Sequence, residues 1–358
     1  MKKGNTRNSN IELFRIITML VIIAHHYVVN SGIADILFSN SSMGVKNIFY
    51  LIFGCGGKTG INCFVLITGY FMCKSKITLR KFLKLFCEAE FYSFVIFMIF
   101  WITGYEPFSI KMFIKNMIPF LDISTGFMAC FLLFYLLIPF LNILIKHMKK
   151  REHEMLLALC LFIYTFLPSL AKAYVVFNYI TWFIVLYILA SYVRYYPRDI
   201  YQNMKMWRNL MIISIILSVG SIIVCWYIGV DPYFFVSDSN KILALITAFC
   251  AFMFFLNWNI GYNKTINKIA ASTFGVFMIH TNSITMRRWL WRDFLKNRVW
   301  YFQNYYIVHM FISIIIVYVV CTIIDMIRIR ILEKPFLNFV DKRLDMSNLR
   351  VLSTMDQK

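Results

Sequence analysis

The 358 residues are 60% hydrophobic and 18% aromatic, with a mean hydropathy of +0.67, well above the roughly half-apolar make-up of soluble domains. No soluble core can hide that much apolar surface, so the composition excludes a free-standing soluble module. The formal net charge of +20 falls in short clusters between apolar runs. No basic stripe interleaved with aromatics forms, which argues against nucleic acid as a partner and makes the charge a record of membrane topology.

A hydrocarbon core about 30 Å thick takes about 20 apolar helical residues per crossing, and such runs recur along nearly the whole chain. Taken in order, spans are predicted at 12–30, 48–73, 86–104, 110–145, 154–170, 178–195, 209–229, 242–260, 269–286 and 303–327. The stretch 110–145 divides into a short interfacial helix and a span that starts near residue 127. The expectation is an all-α integral membrane protein of about ten transmembrane helices, with residues 1–340 as one multi-span domain and 341–358 as a short cytoplasmic tail. Lys2, Lys3 and Arg7 precede the first apolar run as they would in a signal peptide, but no small-x-small cleavage site follows, so that span is expected to be retained.

Orientation follows from the cations. With the N-terminus inside, the inner segments hold Lys74, Lys76, Arg80, Lys81 and Lys84, then Lys146, Lys149, Lys150 and Arg151, then Arg194, Arg198, Lys205 and Arg208. The outer segments are poorer in Lys and Arg, and 231–240 holds Asp231 and Asp238, so both termini are placed in the cytoplasm. One stretch breaks the rule, because Arg287, Arg288, Arg292, Lys296 and Arg298 fall outside in this scheme. Either the ninth span is re-entrant, or these cations meet lipid phosphates or glycan anions.

The nine cysteines show no CxxC spacing and sit mostly inside apolar runs, where Cys is a small buried hydrophobe. No HExxH, DxD pair or Cys/His cluster at ligand spacing is present, so no metal is expected. GCGGKTG superficially resembles a phosphate loop, but span residues follow it.

The first span, IELFRIITMLVIIAHHYVV, carries Glu12, Arg15, His25 and His26, and ionisable groups inside a span are costly enough to be functional candidates. At about 100° and 1.5 Å per residue, Arg15 and His26 share a helix face roughly 16 Å apart. Glu12 lies on the same face three residues before Arg15, in reach of an ion pair. A guanidinium that merely reaches to the inner headgroups, with a histidine that caps a carbonyl, explains the same residues.

An Arg followed by ten residues and a His in the first span, and then FVLITGYFM (Phe64 to Met72), resembles the membrane-bound acyltransferase-3 family. Thr68 stands where that family usually has Ser. The resemblance continues in order through FLLFYLLIPFLN (Phe131 to Asn142), ITWFIVLYILASYVR (Ile180 to Arg194), STFGVFMIHTN (Ser272 to Asn282) and LEKP (Leu332 to Pro335). It departs at GFMA (Gly126 to Ala129), where many members have Trp. The last three stretches resemble the branch of capsular and extracellular polysaccharide O-acetyltransferases.

That resemblance implies transfer of acetyl from cytoplasmic acetyl-CoA to a hydroxyl of a surface polysaccharide or its lipid-linked precursor, in a bacterial cytoplasmic membrane. It implies His26 as base or transient acyl carrier, Arg15 oriented by Glu12 toward the donor, and His280 as a further catalytic candidate. Lys58 and Arg80 are expected to meet the donor's phosphates, and Asn282 and Thr68 to contact the acceptor. Glu333 is read as fixing the chain exit before Pro335. No esterase-like domain follows the tenth span in this sequence, so transfer is expected to be completed in the membrane domain or by a partner. Besides acetyl-CoA, the acceptor glycan and membrane lipids, a second copy of the chain is an open partner, although no small-xxx-small face marks a homodimer interface.

Two further readings remain from the residues alone. The same scaffold could move succinyl or another acyl group to a glycolipid or small molecule. Buried Arg and His also suit a transporter or flippase for a glycan or lipid, but the matched broken helices and repeat symmetry of such proteins are not evident.

Overall fold

The runs of Ile, Leu, Phe and Met fold into helices because lipid offers no partner for backbone N–H and C=O groups, and a helix satisfies them within one segment. The structure, a computed structural model, describes residues 8–39, 44–118, 126–171 and 173–343. The elements run α1 (Ser9–Val29), α2 (Ile33–Ser39), α3 (Val45–Gly54), α4 (Gly57–Met72), α5 (Leu79–Ile102), α6 (Ile110–Met117), α7 (Phe127–His147) and α8 (Lys150–Leu161). A π-helical turn, Phe162–Phe166, joins α8 to α9 (Leu167–Leu170). There follow α10 (Tyr179–Tyr195), α11 (Met204–Tyr227), α12 (Ile242–Asn257), α13 (Lys264–Ala270), α14 (Thr273–His280), α15 (Ile284–Arg288), α16 (Asn297–Tyr301), α17 (Tyr306–Arg328) and α18 (Lys334–Arg343).

Each of the ten predicted segments is helical over most of its described residues. Seven are long and apolar enough to cross a membrane, with α3 and α4 counted as one and α8 and α9 as another, while α10 and α12 are shorter apolar helices. The predicted ninth span is not one helix: it is divided at Ala271 and Ser272 into α13 and α14. The second span is also interrupted, at Cys55 and Gly56. As expected, 110–145 splits into the short helix α6 and the span α7. Of the predicted tail, only the end of α18 is described, and 344–358 lie outside the described residues, as do Lys2, Lys3 and Arg7.

Large apolar side chains such as Ile213, Ile216, Ile312 and Ile315 are exposed on α11 and α17, while Asn62, His153, His280 and Asp325 are fully buried. This is the inverse of a water-facing surface, and it fits an apolar solvent around the bundle. The chain is therefore a multi-pass integral membrane protein.

Contacts divide the bundle into two ends, named inner and outer after the orientation the charge rule expects. At the inner end, the Ser9 hydroxyl accepts from the Asn263 N–H (2.8 Å), the Asn10 amide donates to Phe255 O (2.6 Å), and Tyr195 donates to Cys73 O (3.2 Å). At the outer end, Tyr233 donates to Leu51 O (2.8 Å) and Asn297 to Tyr27 O (3.1 Å). The α13–α14 segment starts beside Ser9 and reaches His26 at its far end, and Arg292 beyond it donates to Asn30 O (3.3 Å). The ninth segment therefore runs alongside α1 from Ser9 to His26, and the basic stretch that follows it begins at the end of the bundle opposite Ser9, the end that the charge rule takes as the outer one.

Near the inner end a buried charge network ties α5 to α17. Arg328 meets Glu88 (2.8 Å), Asp325 (2.8 Å) and Glu333 (2.9 Å), Lys84 reaches Glu333 (2.7 Å), and Tyr92 donates to Asp325 (2.8 Å). Glu333 is thus held at the start of α18, in line with its expected role at the chain exit. Gly275 on α14 completes the fit, since a Cβ there would sit 2.2 Å from the Asp325 carboxylate.

Removing the central cation leaves three carboxylates around it with only Lys84 to balance them. Arg328→Met is expected to cost about 3–5 kcal/mol and to lower the thermal midpoint of the purified protein in detergent. An unchanged midpoint would show that the network carries no stability.

Candidate active site

The site begins with α1. Its last two turns pack against the start of α4, and Gly57 allows the close approach, because a Cβ there would lie 2.3 Å from the His25 ring. The other wall is α14, which ends at His280. His26 Nδ1 lies 3.1 Å from His280 Nε2, and His280 Nδ1 lies 2.6 Å from Val276 O one turn back on its own helix.

These two contacts fix the protons of neutral imidazoles. A carbonyl can only accept, so His280 Nδ1 carries the hydrogen and its Nε2 is bare. The bare Nε2 can only accept, so His26 Nδ1 is the donor, and the lone pair of His26 is on Nε2. His25 Nδ1 is likewise bonded to Gly54 O. Trp291, fully buried in a π-helical turn (Trp289–Phe294), packs edge-on against both His280 and Tyr27.

His25 and His26 line a cavity of about 670 Å³ at the outer end of the bundle, within the size range of small-molecule sites. Lys58 and Asn282 also line it, together with Asn30, Glu106, Lys115 and Arg287, which the sequence analysis did not assign to a site. The amide nitrogens of Asn30 and Asn282 are buried and find no hydrogen-bond partner among the described residues. Unmatched buried donors are rare enough to mark where ligand oxygens belong. Lys115 was legible only as one cation on the short amphipathic stretch 110–117, and Arg287 only as a member of the misplaced outer cluster.

The remaining candidates lie elsewhere. Arg15, about one-third exposed, meets Glu12 at 3.7 Å as expected from their spacing, and neither lines the cavity. Thr68 donates to Phe64 O in its own helix (2.9 Å) and is not in the cavity wall. Arg80 is paired to Asp341 of α18 (2.9 Å) at the inner end. Lys58 is held by Tyr179 (3.0 Å) and Asp238 (3.6 Å) at the other end of α4, so Lys58 and Arg80 cannot serve one headgroup together. Among the other histidines, His153 bonds Ile188 O, His147 bonds Ile143 O, and His309 bonds the Tyr27 hydroxyl, away from the cavity wall.

A family model described as an acyltransferase domain, that of acyltransferase-3, matches residues 8–326, nearly the whole described chain. The chain belongs to the acyltransferase-3 family. No curated protein and no solved structure matches it. An acyltransferase-3 protein needs a group that takes a proton from an incoming nucleophile, or itself accepts the acyl group, beside a cavity that admits the acceptor. His26 has the bare nitrogen, and no group of three or more His, Cys, Asp or Glu that could hold a metal occurs among the described residues.

If His280 sets the tautomer of His26, His280→Ala leaves the base present but unoriented. Turnover is expected to fall roughly 100-fold or more, the lower range for a positioned general base, with little change in thermal midpoint. Full turnover in His280→Ala would remove His280 from the site.

Proposed function

We propose that this membrane acyltransferase moves acetyl from acetyl-CoA to a hydroxyl of a surface or capsular polysaccharide, or of its lipid-linked precursor, at the outer face of a bacterial cytoplasmic membrane. The observation that carries the reading is His26, bonded through Nδ1 to His280 and left with a bare Nε2 at the wall of a cavity rich in hydrogen-bond donors. The resemblance to polysaccharide O-acetyltransferases supports the choice of acetyl and of a glycan.

In this reading the acceptor hydroxyl gives its proton to His26 Nε2 as its oxygen attacks the thioester carbonyl. The carbon–sulfur bond then breaks, the ester is formed, and the CoA sulfur leaves as a thiol with the proton returned by the imidazolium. His280 stabilises that imidazolium by accepting from Nδ1. Arg15 lies on α1 roughly 16 Å toward the inner end, a separation that the pantetheine arm of CoA can bridge, so its guanidinium suits the donor's phosphates.

The test is mass spectrometry of the cell's surface polysaccharide with the protein present, deleted, and restored as His26→Ala. The increment of one acetyl group is expected to vanish on deletion and to stay absent with His26→Ala. Unchanged acetylation, combined with a glycan or lipid that no longer crosses the membrane, would favour a transporter. With purified protein, Arg15→Gln is expected to raise the KM for acetyl-CoA roughly tenfold or more, as loss of a charge-assisted hydrogen bond does, and to leave the acceptor KM unchanged. A raised acceptor KM instead would place Arg15 in the wrong subsite.

A further inference from the structure

Each histidine of the bonded pair is followed closely by an asparagine. Asn30 comes four residues after His26, roughly one helical turn along the same face of α1, where Cβ atoms lie about 5–6 Å apart. Asn282 comes two residues after His280, in the joint between α14 and α15. His26 and His280 are bonded to each other (3.1 Å), so both asparagines lie close to one pair of rings, and both line the cavity.

The backbone around the two positions is pinned. The Asn30 N–H donates to His26 O (3.1 Å) at the end of α1, Asn30 O accepts from Arg292 (3.3 Å), and Asn297 donates to Tyr27 O (3.1 Å). On the other side, Thr281 donates to Phe277 O through its N–H (3.2 Å) and its hydroxyl (2.7 Å), and Ser283 caps α15 by accepting from the Met286 N–H (3.1 Å). The side-chain amides are left out of this bonding: Nδ2 of Asn30 and Nδ2 of Asn282 are buried without a hydrogen-bond partner among the described residues. A buried donor in that state adds nothing to stability and costs its desolvation, so its use is for a ligand oxygen.

The chemistry of the cavity selects the oxygen. A sugar hydroxyl both donates and accepts, whereas a carbonyl oxygen only accepts and so suits two groups whose unmatched atoms only donate. In acyl transfer that oxygen also gains a negative charge, next to the base that takes the proton. We infer that the side-chain amides of Asn30 and Asn282 form the oxyanion hole of the reaction, holding the carbonyl oxygen of the donor's acetyl group while His26 acts on the acceptor hydroxyl.

The inference rests on the acyltransferase reading and adds two residues to its transition state. As the acceptor oxygen bonds to the carbonyl carbon and its proton passes to His26 Nε2, the π pair of the carbonyl moves onto oxygen, and the two amides donate to the resulting anion. The pair then re-forms the double bond, the carbon–sulfur bond breaks, and the sulfur takes the proton from the imidazolium. Amides on a pinned backbone need no rearrangement at that moment, and away from bulk water they act more strongly on the charge.

The test is release of CoA from acetyl-CoA by the full-length purified protein with isolated surface polysaccharide, for the unaltered protein and for Asn30→Leu, Asn30→Asp, Asn282→Leu and Asn282→Asp. Leu keeps the approximate volume, and an ionised Asp keeps the shape, without the donor. Each variant is expected to lower kcat roughly 100-fold or more, to leave the KM of donor and acceptor nearly unchanged, and to keep the thermal midpoint, because an unmatched donor holds nothing in place. Infrared difference spectra of bound acetyl-CoA, labelled with carbon-13 at the carbonyl, are expected to show the C=O band at higher frequency in each Leu variant than in the unaltered protein, since a lost hydrogen bond restores double-bond character.

An unchanged kcat, or a raised acceptor KM with kcat retained, overturns the inference. So does a fall in kcat with the band unmoved, or a midpoint lowered by both Leu and Asp, which would mark the amides as structural. An effect confined to one position overturns the pairing. CoA release by the unaltered protein, with variants that match it, sinks this inference alone, and no CoA release by the unaltered protein sinks the acyl-transfer reading and this inference with it.

Discussion

His26 and His280 come from positions 254 residues apart, and they meet because α14 stops at His280. Val276 O, one turn back, takes the Nδ1 proton of His280, so the local helix decides which nitrogen of His280 faces α1. That choice passes through the inter-helix bond to His26 and leaves a lone pair on its far nitrogen. A helix backbone on one side of the bundle thereby sets the chemistry of a side chain on the other. The bonding depends on both helices holding their position, and in lipid that position cannot be enforced by a difference in hydrophobicity between helix faces.

Polar contacts and glycines do the positioning instead. Gly57 lets α4 lie against His25, and Gly275 lets α14 lie against Asp325 of α17. The Arg328 network fixes α17 to α5, and Asn62 joins α4 to α10 through Trp182 (2.8 Å) and to Ser239 O (2.7 Å). Each of these groups would be costly if left unpaired in an apolar solvent. Shared among several elements they specify one arrangement, and the arrangement brings α1, α4, α5, α6 and α14 around a single cavity.

Hydropathy alone made the ten helical segments legible, because a span needs only length and apolar content. It could not show that the ninth segment is broken at Ala271 and Ser272, since a short interruption barely changes a window average. Helical periodicity was enough for the Glu12–Arg15 pair, which is local. It could not show that His25 shares the cavity with His26, which depends on where α4 packs. Lys58 was singled out only through the family resemblance, and its place at the opposite end of α4 from Arg80 follows only once α4 is set antiparallel to α1. The basic stretch 287–298 stood out as a violation of the charge rule, and the fold gives that violation a location, with Arg287 in the cavity wall.

The most direct measurement is an electron cryo-microscopy structure of the protein with a non-hydrolysable thioether analogue of acetyl-CoA. The account predicts the thioether sulfur within ~4 Å of His26 Nε2, near the separation at which reacting groups are poised, with His280 still on Nδ1 and the phosphates toward Arg15. An analogue whose sulfur is bound away from His26, or a His26 ring turned so that Nε2 meets His280, would contradict it.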